Sequence, residues 1–153
     1  MFWRASVSTS PKALGLSTGA DMAIDVAARR ADVSAVVADG TAAIGYEDLK
    51  EFTGNPVTLG GGWVMFKAIE IINGGSGPDA SLADQIARSR APHLLVSAGP
   101  AEKEWGELYD RAGGARSTLW YLPKASHTAA LRQHPVEYER RVTGFLDRNL
   151  ARR

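Results

Sequence analysis

The stretch Gly15-Leu16-Ser17-Thr18-Gly19 constrains this chain more than any other. A short apolar run, Ala13 to Leu16, leads into it, and Asp21-Met22-Ala23-Ile24-Asp25-Val26-Ala27-Ala28 follows in a helical pattern. The order strand, tight turn, helix puts a serine at the apex of a sharp reversal. Such a turn crowds the residues two before and two after the apex, so both glycines are expected to be obligatory. The turn lifts the hydroxyl clear of the sheet and points the free N–H groups of a helix start at any charge beside it. Two other readings stay open. Ser17 can be a plain helix cap, or the turn can cradle a phosphate, although it lacks the lysine and the third glycine of the familiar phosphate loops.

Composition excludes several function classes. The chain has 153 residues, 44% hydrophobic and 23% charged, enough for one globular domain with its own core. A formal charge of +1 gives no field for nucleic acid or a membrane surface. Without cysteine there is no disulfide and no thiolate metal site, and no metal or organic cofactor is expected. Met1 to Val7 lacks the apolar core of a leader peptide, and Trp63 to Ile72 carries Lys67 and Glu70 and falls short of the ~20 residues a bilayer needs. A cytoplasmic protein is the expectation.

In chain order, residues 1 to 10 read as an irregular lead-in, Ala13 to Leu16 as the first strand, and Ala20 to Arg30 as a helix with Met22, Ile24, Val26 and Ala27 available to a sheet. Val33 to Ala38, nearly continuous and β-branched, reads as a strand buried on both faces and parallel to the first. Gly54-Asn55-Pro56 and Gly60-Gly61-Gly62 are expected to break the chain, and Trp63 to Ile72 is apolar all round if helical. Asn73 to Pro78 reads as a flexible loop, and Ser81 caps a helix through Asp84. Residues 41–91 together suit a small cap inserted between strands of a single domain spanning 1–153. Pro92 to Ala98 is the third strand, Ala101 to Ala112 an amphipathic helix stopped by Gly113-Gly114, and Ser117 to Leu122 the fourth strand. Pro135 opens a last helix with Tyr138, Val142, Phe145, Leu146 and Leu150 on its apolar side.

A serine nucleophile needs a base for its proton and an acid to hold that base's tautomer. Of three histidines, His93 opens a buried strand and His134 precedes the helix-starting Pro135. His127 follows the fourth strand at the end where open parallel sheets gather their sites, the same end at which Ser17 leaves the first. The acid is then expected after the third strand, where Glu102 is first choice and Glu104 second, both also suited to a helix's first turn. Asp39, ending the second strand, is a weaker candidate.

Gly15 to Ala20, Val33 to Gly40, Pro92 to Gly99, Leu119-Trp120-Tyr121-Leu122-Pro123 with His127-Thr128, and Glu137 to Val142 with Phe145-Leu146-Asp147, in this order, resemble the C-terminal half of an α/β-hydrolase. The resemblance is to bacterial serine hydrolases of the dienelactone-hydrolase-like and prolyl-oligopeptidase-like kinds. It implies a partial fold of that class, an α/β architecture of about four mostly parallel strands with helices on both faces. It also implies Ser17 as nucleophile, His127 as general base, Glu102 as acid and the Thr18 backbone N–H as half of an oxyanion hole. The substrate implied is a carboxylic ester, or a peptide or amide such as a short peptide, cleaved through an acyl-serine intermediate. In the family the nucleophile follows the fifth strand of about eight. Only the ten-residue lead-in and Pro11-Lys12 precede the first strand here, so that strand is expected to present an open edge, covered by a homodimer partner or a complementary chain. An inactive fragment serving as an interaction module and a phosphate-binding module are the alternatives.

Overall fold

The structure, a computed structural model, describes residues 10–72, 74–75 and 80–149. Leu150, most of the loop from Asn73 to Pro78 and all of the lead-in before residue 10 lie outside them. At its centre are four strands, β1 (Lys12–Leu16), β2 (Ala35–Asp39), β3 (His93–Ala98) and β4 (Ser117–Leu122), in the order β1-β2-β3-β4. Every neighbouring pair is parallel, with Leu16 opposite Asp39, Asp39 opposite Val96, and Ala98 opposite Leu122. Because all four run the same way, every strand delivers the following turn to one edge of the sheet.

The two middle strands are buried throughout, which is why they read as unbroken apolar runs rather than alternating ones. Each side chain nevertheless goes to one of two cores. Val36, Ala38 and Leu95 pack with Ala20, Ala23, Ile24 and Ala27 of α1 (Thr18–Arg29) and with Tyr109 of α2 (Gly99–Gly113). Ala35, Val37, Leu94 and Val96 pack on the other face with Trp120 and with Tyr138, Val142 and Phe145 of α3 (Pro135–Arg148). The expected layers are present. Met22 and Val26, offered to the sheet by the sequence pattern, face away from it and are 65% and 41% exposed, because Ala20, Ile24 and Ala27 already fill the narrow gap.

Residues 41–91 contain three helices, α4 (Tyr46–Phe52), α5 (Pro56–Ile72) and α6 (Leu82–Arg88). The break at Gly54-Asn55-Pro56 is present, with the Asn55 side chain accepting from the Val57 and Thr58 N–H groups to start α5. The triple glycine breaks nothing: α5 runs straight through it. Gly62 is the buried residue of α5, and a Cβ there would run into the Leu49 side chain, so the glycine lets α5 cross α4 closely. Helix α6 packs on α1 and α2 in the first core layer. Its cap is Ser81, whose hydroxyl accepts from the Asp84 N–H at 3.1 Å. Only α4 and α5 stand apart from the sheet. Trp63, Met65, Ile69 and Ile72 of α5 are exposed.

One residue that carries no signal in the sequence ties these parts together. The carboxylate of Asp48, wholly buried, accepts from the N–H groups of Ile44, Gly45 and Leu82 and from the Tyr109 hydroxyl. It thereby fastens the starts of α4 and α6 to the middle of α2. A short helix the pattern did not reveal, α7 (Ala130–Gln133), precedes α3, and His134 sits at the entry to α3 as expected.

Candidate active site

Ser17 occupies the turn between β1 and α1 with φ 53° and ψ −129°, a conformation that costs a non-glycine residue on the order of 1–3 kcal/mol. Its N–H donates to the Asp39 carbonyl at 2.8 Å, which pins the turn to the end of β2. A Cβ on Gly15 would collide with the backbone of Gly19 and Ala20, so that glycine is obligatory. Gly19 is different: a Cβ there would meet open space, and the expectation that both flanking glycines are forced is corrected for this one. Ser17 stands where a helix cap would, yet its hydroxyl makes no cap bond. The hydroxyl is engaged elsewhere.

His127 Nε2 lies 3.0 Å from Ser17 Oγ, and His127 Nδ1 lies 2.6 Å from Glu102 Oε1. The other carboxylate oxygen of Glu102 accepts the Ala98 N–H at 2.7 Å. Glu102 sits in the first turn of α2, so it satisfies an orphan N–H at the helix start while its second oxygen holds the imidazole. With Nδ1–H directed at the carboxylate, Nε2 is left to accept a proton from Ser17. Glu102 is buried, whereas the His127 side chain is 53% exposed and open to a ligand. Glu104 faces solvent two positions on. Thus the structure brings Ser17, His127 and Glu102 together from β1, β4 and β3, and leaves Glu104 out.

The loop carrying His127 is fitted to the turns beneath it. Gly40, at φ 79°, lies beside the ring: a Cβ there would stand 2.7 Å from His127 Cε1 and 3.0 Å from Nδ1. Gly99, at φ 68°, passes close to the Ala125 carbonyl of the same loop. Among the described residues the non-glycine residues at positive φ are Ser17 and Thr128, both in this constellation. Thr18 and Gly19 open α1, so their N–H groups have no acceptor within the helix.

Two further carboxyls border this chain of contacts. Asp39 is fully buried at the end of β2, and neither of its oxygens has a well-formed hydrogen bond. Burial, then the charge of Glu102, pushes it up to about 6, against the pull of the nearby Tyr138 hydroxyl and His127. Asp39 makes no hydrogen bond to His127, whose Nδ1 contacts Glu102 instead. Asp21, one turn after Ser17, is pushed up to about 7 by burial and then by Asp48, with His127 acting against both. Beside Thr18 an open, largely apolar cavity is lined by Asp21, Met22, Val26, Ile44 and Gln85. His93 is buried at the start of β3 with neither ring nitrogen bonded, and burial holds its pKa down at about 4. It lies at the far end of the strand from the serine. No group of metal-ligating side chains occurs among the described residues.

No protein-family model and no curated protein matches the sequence. Solved structures do. An esterase of Pyrococcus furiosus matches with a TM-score of 0.61 at 21% identity, over 92% of this chain and 54% of its own. A proline iminopeptidase of Mycobacterium smegmatis matches with a TM-score of 0.57 at 14% identity, over 91% of this chain and 65% of its own. An enol-lactonase of Burkholderia xenovorans matches with a TM-score of 0.55 at 21% identity, over 88% of this chain and 64% of its own. The fold is therefore part of the α/β-hydrolase fold. This chain spans between about half and two thirds of the length of those three. No helix among the described residues is long and apolar enough to cross a membrane.

Proposed function

We propose that the chain carries the nucleophile, base and acid of a serine hydrolase acting on carboxylic esters, with amide or peptide bonds as the harder substrates of the same site. The observation that supports this most is the run of contacts from Ser17 Oγ through His127 to Glu102, at 3.0 and 2.6 Å. In this reading His127 Nε2 takes the Ser17 proton as Oγ attacks the acyl carbon. Glu102 holds the Nδ1–H and stabilises the imidazolium. The Thr18 N–H faces the developing oxyanion. His127 returns the proton to the leaving alcohol or amine, and water then releases the acyl group from Ser17 by the same steps in reverse. The apolar cavity beside Thr18 favours a substrate with an apolar acyl or alcohol portion. Helices α4 and α5 are the part of residues 41–91 suited to a cap over it.

The phosphate-binding alternative is weakened by Asp21, an acid in the first turn of the very helix that would hold the anion. The edge of β1 has no partner strand among the described residues, and Leu14 and Leu16 beside it are 49% and 41% exposed. We place a second copy or a complementary chain there, which sedimentation of the purified protein would register as an assembly. A fluorophosphonate probe tests the chemistry. It is expected to label Ser17 in the folded protein and to spare Ser17→Ala. A folded protein that stays unlabelled overturns the hydrolase reading in favour of an interaction module.

A further inference from the structure

The cavity beside Thr18 follows one face of α1. Thr18, Asp21, Met22, Asp25 and Val26 recur at the three- and four-residue spacing of a single helix stripe, and Ile44 and Gln85 complete the lining. The volume is about 280 Å³. From Thr18, next to the nucleophile, to Val26 the stripe runs ~12 Å at ~1.5 Å of rise per residue. Met22, Val26 and Ile44 make the lining apolar, yet two acceptors in it have nothing to accept. Asp21 Oδ1 is buried and has no hydrogen-bond partner. Gln85, 4% exposed, donates from Nε2 to the Ala80 carbonyl at 2.9 Å, which leaves its Oε1 buried and unpartnered. Acceptors buried without a donor cost stability and call for a partner. Asp25, the other carboxylate of the stripe, is already engaged: both its oxygens accept from Arg29 Nε at 2.9 Å. No lysine, arginine or histidine is among the described residues lining the cavity. Ile44 is itself bonded through its N–H to a further carboxylate, Asp48, at 3.1 Å.

We propose that Asp21 and Gln85 form a subsite for a protonated amine carried on the apolar part of the substrate, so that the preferred esters bear an ammonium group a few bonds from the reacting carbonyl. The inference rests on the serine-hydrolase reading and names the substrate class of that site. An ammonium brings three donors and a positive charge, enough for both orphaned acceptors, while its hydrocarbon stem suits Met22, Val26 and Ile44. A hydroxyl has one hydrogen to give and leaves the Asp21 charge uncompensated. The reach is right as well. Asp21 follows Ser17 by four residues, ~6 Å of helix, and helical side chains lean back toward the helix start. An amine two carbons beyond the acyl carbonyl spans that gap. Burial, and then Asp48 from the start of α4, push the Asp21 carboxyl up to about 7, against His127 from the loop after β4. A bound ammonium acts with His127 and returns it toward the ordinary carboxylate range.

Aryl esters of 3-aminopropanoate and of butanoate have the same length and differ in the terminal ammonium. At about pH 8, with each rate divided by the hydroxide rate of the same ester, the protein is expected to prefer the amino ester in kcat/KM by about tenfold or more, the scale of a hydrogen bond to a charged group. Asp21→Asn keeps the shape and removes the charge, and should lower that preference about tenfold; Gln85→Leu should lower it a few-fold. An Asp21 that only fills space would change melting and leave the preference alone. A wild-type preference below twofold overturns the subsite, whether or not the variants fold. A second measurement needs no turnover: the 13C titration of the Asp21 carboxyl with butylammonium chloride, against butan-1-ol and sodium chloride. Butylammonium is expected to lower the midpoint by about one pH unit or more, as an opposite charge in contact does, and the two controls to leave it in place. A midpoint that butylammonium moves no further than sodium chloride overturns the amine site. A protein inert to fluorophosphonate and to both esters overturns the hydrolase reading instead. A midpoint lowered by butylammonium would then still mark the amine site, so the two failures are told apart.

Discussion

The imidazole of His127 occupies the space that a Cβ on Gly40 would need: such an atom would stand 2.7 Å from Cε1 and 3.0 Å from Nδ1. Gly40 also holds φ 79°, which L side chains rarely adopt. Gly40→Ala is therefore expected to push the ring off Ser17 before it unfolds the sheet, because β2 and its core partners lie on the other side of the turn. The rate of fluorophosphonate labelling should fall on the order of a hundredfold, the scale on which ångström misplacements act. Far-ultraviolet circular dichroism should stay as in the wild type. A labelling rate within threefold of wild type would contradict this fit.

The two acids after β3 separate cleanly. Glu102 touches His127 and the Ala98 N–H, whereas Glu104 faces solvent. Glu102→Gln removes the charge that holds the tautomer, and the loss in kcat is expected at about 10⁴-fold, the scale seen when a triad acid is made an amide. Glu104→Gln should leave kcat within a factor of about two. Equal effects would mean that Glu102 acts only as a helix-start acid.

The glycines flanking the serine differ in the same testable way. Gly15→Ala places a methyl group inside the backbone of Gly19 and Ala20, and the turn must open to admit it. Loss of soluble, folded protein, or a fall in melting temperature of more than about 5 °C, is expected at this length of chain. Gly19→Ala enters open space in the first turn of α1, where alanine is the better helix former by about 1 kcal/mol. Its melting temperature should be unchanged or slightly raised.

These comparisons mark which parts of the molecule were legible beforehand. The sheet was, because β2 and β3 are buried on both faces and so carry long apolar runs closed by Gly40 and Gly99. The convergence of Ser17, Glu102 and His127 was legible as well, since parallel strands send their following turns to one edge whatever the loops do. Gly19 was misjudged because a repeated glycine looks alike whether the space around it is full or empty. The run from Gly60 to Gly62 looked like a break, since the close crossing of α4 that occupies Gly62 involves Leu49, far from it in local pattern. Asp48 was invisible for the reason that matters most: its partners Leu82 and Tyr109 lie 34 and 61 residues away. No local periodicity announces a buried carboxylate that three helices share.

Buried ionisable groups give the stability of this protein two opposed dependences on pH. Asp39 is pushed up to about 6, against an ordinary value near 3.8. Between those values the folded state holds a proton that the unfolded chain has released. Asp39 therefore costs stability as pH rises through that window, by up to about 3 kcal/mol once it is fully ionised. His93, held down at about 4 from 6.5, works the other way: the unfolded chain takes up its proton first, so acidification through that window costs stability. The two nearly offset in the wild type, and the variants should expose them. The melting temperature of Asp39→Asn relative to wild type is expected to climb from pH 4 to about 6 and then level off, by a few degrees. That of His93→Leu relative to wild type should climb in the opposite direction, from pH 7 down to 4. Difference curves that run parallel would mean that these side chains meet water in solution, and that the burial holding Asp39 neutral below pH 6 is lost.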